Sequence, residues 1–311
     1  MGGDVKVQHF IDSLDFSTEE YNALFSLANK IIASPSEYQS LCSGRLMATL
    51  FYEPSTRTRL SFEAAMMRLG GQVLSVANSA TSSAVKGETL ADTIRTAAGY
   101  ADIIVLRHPK EGAARLASLY TPVPVINGGD GAREHPTQTL TDMFTIQTYE
   151  GRLDNLTIAL CGDLRYGRTI HSLIKALARR GKTRFFLISP EELRLPEHVK
   201  EEVLDGGAGV EIQETTEMEN GLREADVLYM TRIQKERFFN EEDYIKLRDT
   251  YILTPERMAL AKERMIVMHP LPRVTEIAGE VDKDKRAVYF QQARLGMFVR
   301  MALIAYLLEV V

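Results

Sequence analysis

Short apolar runs rich in β-branched residues recur along this chain, and each leads into a stretch with helical spacing. LMATLF at residues 46–51 is followed by a helical stretch over 58–69, and DIIVL at 102–106 by EGAARLASLY. VPVIN at 123–127 is followed, after a glycine-rich turn, by HPTQTLTDMFTIQTYEG. The alternation then restarts with LTIALCGD, a helix over 170–179, RFFLIS, VLYMT and MIVMHPL. Strands separated by helices need crossover connections, which make neighbours parallel and cover both sheet faces, so such strands read as continuous apolar runs. The rhythm predicts an α/β fold of two domains, each a mainly parallel sheet flanked by helices, joined by two interdomain helices. The joining helices are the one over 136–149, ended by Gly151, and the C-terminal LGMFVRMALIAYLLEVV, which has no sheet of its own left to cover. That layout implies a cleft between the halves.

Composition narrows the function. At 311 residues with 45% apolar side chains, two domains are expected. Lys and Arg number 37 against 42 Asp and Glu, a net charge of -5, so the globally basic face of a nucleic-acid binder is missing and any anion site must be local. Cys42 and Cys161 stand far apart and outside any CxxC or Cys/His cluster, which argues against a disulfide framework and a structural zinc site. MGGDVKVQHF lacks a basic stretch followed by an apolar core, so no secretory signal is supported and the chain is expected to be cytoplasmic. The apolar C-terminal segment is interrupted by Arg300 and falls short of the ~20 residues of a membrane span, so it reads as a buried helix.

The strongest local signal is Glu53-Pro54-Ser55-Thr56-Arg57-Thr58-Arg59, where a strand gives way to a helix. A helix start presents unpaired N–H groups and the positive end of the dipole; three hydroxyls and two arginines beside it exceed what a plain N-cap needs and suit a phosphate. Arg107 follows DIIVL at a strand's carboxyl end, and His135 and Gln138 share the first turn of the 136–149 helix; a neutral imidazole there either donates to a carbonyl or merely caps the helix. Lys86 sits in the small, polar loop SVANSATSSAVKGETLAD, which is either a mobile loop delivering an ammonium or a solvated surface loop. GDLRYGRT lacks GxGxxG, which sets aside a nicotinamide site, and its Arg168 suits a carboxylate or phosphate. Arg232 and Gln234 follow VLYM. His269-Pro270-Leu271-Pro272-Arg273 follows MIVM, where two prolines leave backbone carbonyls free to accept from a ligand amide or simply make a turn. Arginines 57, 107, 168 and 232 are all expected just past a strand's end, on the edge of each sheet where such ends converge, which implies a polyanionic ligand. No acidic pair, serine elbow, reactive cysteine or metal cluster accompanies them, so positioning and charge stabilisation are expected rather than a covalent intermediate.

FYEPSTRTRLSFE, VKGETLADT, VLRHPKEGAARLA, GDGAREHPTQTLTDMFT, GDLRYGRTIHSL, YMTRIQKER and HPLPRVTEI, in this order over almost the whole chain, resemble the aspartate carbamoyltransferase family. Its closest relatives, the ornithine carbamoyltransferases, typically carry a cysteine where this chain has Pro270 and an SMG motif where it has TRIQKER; Lys86 likewise points to aspartate. The resemblance implies transfer of the carbamoyl group of carbamoyl phosphate to aspartate, an early step of pyrimidine synthesis, with no cofactor and no metal. It implies a carbamoyl phosphate-binding domain over 1–150, an aspartate-binding domain over 151–290, and a C-terminal helix over 291–311 packing back on the first. By the same resemblance Ser55, Thr56, Arg57, Thr58, Arg107, His135, Gln138, Leu271 and Pro272 bind carbamoyl phosphate, the last two through carbonyls to the carbamoyl amine. Lys86, Arg168, Arg232 and Gln234 bind aspartate, and Arg57, Thr58, Lys86, Arg107 and His135 carry the catalysis. The family works as a trimer, so Ser82 and Lys86 are expected from a neighbouring subunit. Val85 departs from a second lysine often found there, which removes a charge from the loop. HPKEGAARLA resembles members that have a separate regulatory chain. Two rivals remain at this stage, a carbamoyltransferase for another amine and a non-catalytic phosphometabolite-binding protein.

Overall fold

The computed structural model of the chain describes residues 8–77, 86–131, 133–233, 241–247 and 249–311. The chain divides into two compact units, Met1–Thr141 with Arg294–Val311, and Asp142–Ala293.

The first unit holds α1 (Thr18–Ala33), β1 (Leu46–Phe51), α2 (Thr56–Arg68), β2 (Gln72–Val76), α3 (Leu90–Ala98), β3 (Ile103–His108), α4 (Ala113–Ser118), β4 (Val125–Asp130) and the start of α5 (Pro136–Glu150). Its strands pair in the order β2-β1-β3-β4, parallel throughout, and Phe10 bridges to Ile126 on β4. The chain moves from β1 outward to β2 and then returns to place β3 on the other side of β1. Loops leaving β1 and β3 therefore diverge, and the crevice between them at the strands' carboxyl ends is where ligands bind in such sheets. α1 starts cleanly because Ser17 and Glu20 form a capping box: the Glu20 amide donates to Ser17 Oγ (3.2 Å) and the Ser17 amide to Glu20 Oε2 (2.7 Å).

The second unit holds the rest of α5, then β5 (Thr157–Cys161), α6 (Arg168–Ala178), β6 (Arg184–Ile188), α7 (Glu197–Asp205), β7 (Glu211–Thr215), α8 (Met218–Glu224), β8 (Val227–Met230), α9 (Glu241–Leu247), α10 (Pro255–Met258), β9 (Ile266–Met268) and the start of α11 (Tyr289–Leu307). Its strand order is β7-β6-β5-β8-β9, again parallel throughout, so the corresponding crevice lies between the loops after β5 and β8. The apolar runs β5, β6 and β8 are buried along nearly their whole length and build this unit's core with Met218, Leu222, Leu253 and Met265.

The boundaries fall inside helices because each of these helices commits its ends to different units. In α5, Thr137 accepts from Arg300 within the first unit, while Asp142 accepts from Gln292 (2.6 Å) and Tyr229 (2.8 Å) within the second. Burial and that buried carboxylate both push the Tyr229 phenol well above its ordinary range. In α11, Gln292 belongs to the second unit, and Arg300 to the first, where it donates to Ser61 Oγ (3.0 Å) and lies over the Phe62 ring. Among the described residues no helix is long and apolar enough to cross a membrane.

Three features differ from the sequence reading. β3 runs on through Arg107, because Phe51 of β1 pairs with it, so this arginine is a strand residue and not the first residue beyond one. β4 starts later than VPVIN and runs through Gly128 to Asp130. β2 and β7 carried no apolar run to announce them: both are edge strands with mostly exposed side chains.

Candidate active site

In the first unit, the switch-point crevice gathers Ser55, Thr56, Arg57, Thr58, Arg107 and His135. Ser55 stands at the N-cap of α2 with extended backbone, yet its side chain makes no capping hydrogen bond. The plain-cap alternative for this hydroxyl is thereby removed. Thr56, Arg57 and Thr58 make up the first turn, whose amides have no intrahelical acceptors. Arg57 is exposed, and partial desolvation lowers its pKa from the ordinary arginine value without endangering the charge at any working pH. Arg59, paired with Arg57 in the sequence argument, turns elsewhere: it lies 3.7 Å from Glu63, which also accepts from the hydroxyls of Thr49 (3.1 Å) and Ser75 (2.6 Å). It belongs to the packing of α2 on β1 and β2.

Arg107, Thr58 and His135 meet at one point. Arg107 is 8% exposed, and one of its nitrogens donates to the Gly128 carbonyl (3.1 Å) and approaches His135 Nε2 at 3.4 Å. Thr58 Oγ1 stands 3.4 Å from the same Nε2. Arginine has only donors, so this contact makes Nε2 an acceptor and puts the ring proton on Nδ1. The side chain of His135 is thus not the helix cap; its carbonyl serves α5 instead, accepting from the amides of Gln138 and Thr139. Glycine at position 128 allows the close approach, since a Cβ there would stand 3.3 Å from the Leu106 carbonyl and 3.5 Å from Arg107 Cβ. The other guanidinium nitrogen of Arg107 pairs with Glu53 at 3.2 Å, a partner that sequence reasoning passed over because Glu53 reads as the strand-end residue of an anion motif.

In the second unit, the loops after β5 and β8 touch. Gly162 has φ +121°, and a Cβ there would lie 2.2 Å from the Thr231 carbonyl, so only glycine allows this contact. Arg168 opens α6 behind Gly167, and Arg232 follows Thr231 out of β8; both are half-buried. Leu271 and Pro272 follow β9. Leu271 has φ +55° and its amide donates to His269 Nδ1 (2.8 Å). His269 and Glu276, which the sequence reading left out of the site, form a buried pair at 2.7 Å beneath this turn. Only the spacing within HPLPRVTE offered a signal for it. On its outer side Arg273 pairs with Asp282 and lies over the rings of Tyr289 and Phe290. Lys86 is exposed shortly before α3, while Ser82, Val85 and Gln234 lie outside the described residues.

Each unit thus presents cationic and hydrogen-bonding side chains around its own switch point. Residues 8–148 match the family model described as "Aspartate/ornithine carbamoyltransferase, carbamoyl-P binding domain", and residues 154–307 match "Aspartate/ornithine carbamoyltransferase, Asp/Orn binding domain". The aspartate carbamoyltransferase catalytic subunit of Clostridium perfringens is 57% identical over 304 residues, covering 98% of this chain and 99% of that protein. That of Clostridium botulinum is 58% identical over 306 residues, with the same coverage. Among solved structures, the catalytic subunit of M. jannaschii aspartate transcarbamoylase is 47% identical with a TM-score of 0.89, covering 97% of this chain and 98% of its own. Trypanosoma cruzi aspartate transcarbamoylase in complex with carbamoyl phosphate and aspartate is 42% identical with a TM-score of 0.90, covering 97% of each chain. Two matched halves in sequence order, relatives aligned end to end and a shared pair of parallel sheets lead to one conclusion: this chain belongs to the aspartate/ornithine carbamoyltransferase family.

Proposed function

We propose that this chain transfers the carbamoyl group of carbamoyl phosphate to the amine of L-aspartate, giving N-carbamoyl-L-aspartate and inorganic phosphate. The observation that carries the reading is the convergence of Thr58, Arg107 and His135 beside the start of α2, in a chain more than half identical to aspartate carbamoyltransferase catalytic subunits. The phosphate sits on the α2 amides and on Ser55, Thr56, Arg57, Thr58 and Arg107. Gln138 joins His135 at the carbamoyl end, and the carbonyls of Leu271 and Pro272 accept from the carbamoyl amine. Lys86, Arg168, Arg232 and Gln234 hold the aspartate carboxylates.

Carbamoyl phosphate already carries an electrophilic carbon and a good leaving group, so the chemistry needs both anions held together out of water. The amine attacks the carbonyl carbon, the carbon–oxygen bond to phosphate breaks, and the departing phosphate takes the amine proton. Negative charge grows on the carbonyl oxygen, where Thr58 and Arg107 donate directly and His135 donates once its proton resides on Nε2; one such donor is worth on the order of 10²- to 10³-fold in rate. If a rate–pH profile at saturating substrate contains an enzyme base whose pKa disappears in His135→Ala, phosphate is not the proton acceptor. No cofactor takes part.

The chain acts in the cytoplasm in de novo pyrimidine synthesis, as a homotrimer with Ser82 and Lys86 reaching a neighbour's site, and the likeness of HPKEGAARLA leaves room for a separate regulatory chain. The domain roles run as in the family, carbamoyl phosphate on 1–150 and aspartate on 151–290, with 291–311 closing on the first. Reassorting Lys86→Ala and Arg57→Ala chains regains activity if sites are shared, and stays near zero if each site is built from one chain. The reaction itself is tested by supplying the purified chain with carbamoyl phosphate and either L-aspartate or L-ornithine. Carbamoyl-aspartate with stoichiometric phosphate is expected; citrulline overturns the assignment.

A further inference from the structure

We infer that His269 and Glu276 are a positioning pair: they set the direction of the Leu271 and Pro272 carbonyls and thereby the preference of the site for a carbamoyl over an acyl phosphate. The inference rests on the proposed reaction, in which those carbonyls receive the carbamoyl N–H groups.

The proposed chemistry makes no use of the His269 imidazole, although its side chain is 1% exposed and fully engaged. The Leu271 amide donates to Nδ1 at 2.8 Å, which requires a lone pair on that nitrogen. The ring proton therefore sits on Nε2 and is donated to Glu276 Oε1 at 2.7 Å. The other carboxylate oxygen accepts from the amides of Val274 (3.0 Å) and Thr275 (3.1 Å). One imidazole thus holds the front of the turn and one carboxylate holds its back, with the two linked across the middle. Between them Leu271 takes a left-handed backbone (φ +55°), a conformation leucine adopts only when its surroundings hold it there. The His269 amide is itself tied to Gln292 Oε1 (3.0 Å), whose Nε2 donates to Asp142 (2.6 Å), so the pair is anchored to α11 and α5 and not to solvent. Burial pushes Glu276 up, but the hydrogen bonds from His269 and the turn amides outweigh it and keep the carboxyl below the usual range, hence charged and accepting at neutral pH. A carbamoyl group differs from an acetyl group by an amine in place of a methyl, and only the amine can donate to carbonyls aimed at it. Whatever aims the carbonyls therefore sets that selectivity.

The test uses the full chain and four variants, H269A, H269N, E276A and E276Q. The readouts are KM for carbamoyl phosphate at saturating aspartate, kcat, the inhibition constants of acetyl phosphate and inorganic phosphate, and Tm. In H269A and E276A, KM for carbamoyl phosphate rises about 10-fold, the worth of one hydrogen bond, while acetyl phosphate and phosphate move less than about two-fold. In H269N the asparagine oxygen takes the place of Nδ1 and restores most of the affinity. E276Q keeps the buried volume and H269N gives up less of it than alanine, so these two carry the test where an alanine variant does not fold. Equal weakening of all three ligands, or none, overturns the positioning role. A wild-type chain that makes no carbamoyl-aspartate overturns instead the reaction on which it rests.

Discussion

At the scale of single residues, chemistry depends on a few atoms whose donors and acceptors are already matched. Thr58→Val keeps the shape of a buried side chain but removes the hydroxyl near His135 Nε2, so kcat falls about 10²-fold while Tm stays within a few degrees, as steady-state assays and a melting curve would show. The two cysteines offer a contrast. Both are buried; burial pushes the Cys42 thiol up to about 11 and Cys161 further still. Native protein at pH 8 is therefore expected to resist a thiol-specific reagent, and both thiols to react once the chain is unfolded. The hydroxyl-and-arginine cluster after β1 was legible because its members are neighbours in sequence. The Glu53–Arg107 and His269–Glu276 pairs were not, since a sequence shows which groups exist and not which of them face each other.

At the scale of elements, the buried strands were visible, including β4 and β9 at sheet edges, and the exposed edge strands β2 and β7 were not, for one physical reason. A strand covered on both faces is apolar along most of its length, as β1, β5 and β8 are and as β3 is up to Arg107, whereas an exposed edge strand needs only its backbone to pair. The polar β7, EIQET, pairs with β6 residue for residue without any pattern that announces it. Loops at the switch points are constrained as tightly as the core. Gly162→Ala drives a Cβ to 2.2 Å from the Thr231 carbonyl at a φ of +121°, so it costs about 1–3 kcal/mol in chemical denaturation and also raises KM for aspartate by displacing Arg232. An unchanged denaturation midpoint would show that the β8 loop yields without resistance. On α1, Ser17→Ala removes half of the capping box and costs about 1 kcal/mol by the same measurement, with no effect on turnover.

At the scale of the whole molecule, stability and acidity are linked. Glu276 is held below its ordinary range as described. Burial raises Glu20, but the Ser17 amide and side-chain donors bring it below its ordinary value as well. Arg273 lowers Asp282 and Arg286 lowers Asp284. A carboxyl with a depressed folded pKa contributes stability that is fully present above its unfolded value, between about 3.9 and 4.3, and is lost as pH falls through the folded value. Glu150, which burial and Asp226 push up, works in the opposite sense and offsets part of this. Burial also pushes His9, His108 and His171 below the ordinary imidazole value, so the unfolded chain takes up protons first as pH falls below about 6.5. The urea midpoint is expected to decline gently below about pH 6.5 and more steeply below about pH 4; a midpoint level down to pH 3 would contradict it.

The first unit is discontinuous: residues 142–293 separate its two stretches of sequence. On the ribosome, therefore, the second unit has all its residues available while the first still waits for the latter part of α11. Until then Phe16 lacks the Tyr306 ring that packs 5.6 Å away, and Ser61 and Thr137 lack the guanidinium of Arg300. Vectorial synthesis thus makes the inserted half the earlier to mature and leaves the surrounding half open to chaperones longest. A stop codon a few turns into α11 would spare residues 142–293 and unravel the first unit, so nonsense variants there should be cleared by proteolysis rather than persist as weak enzymes.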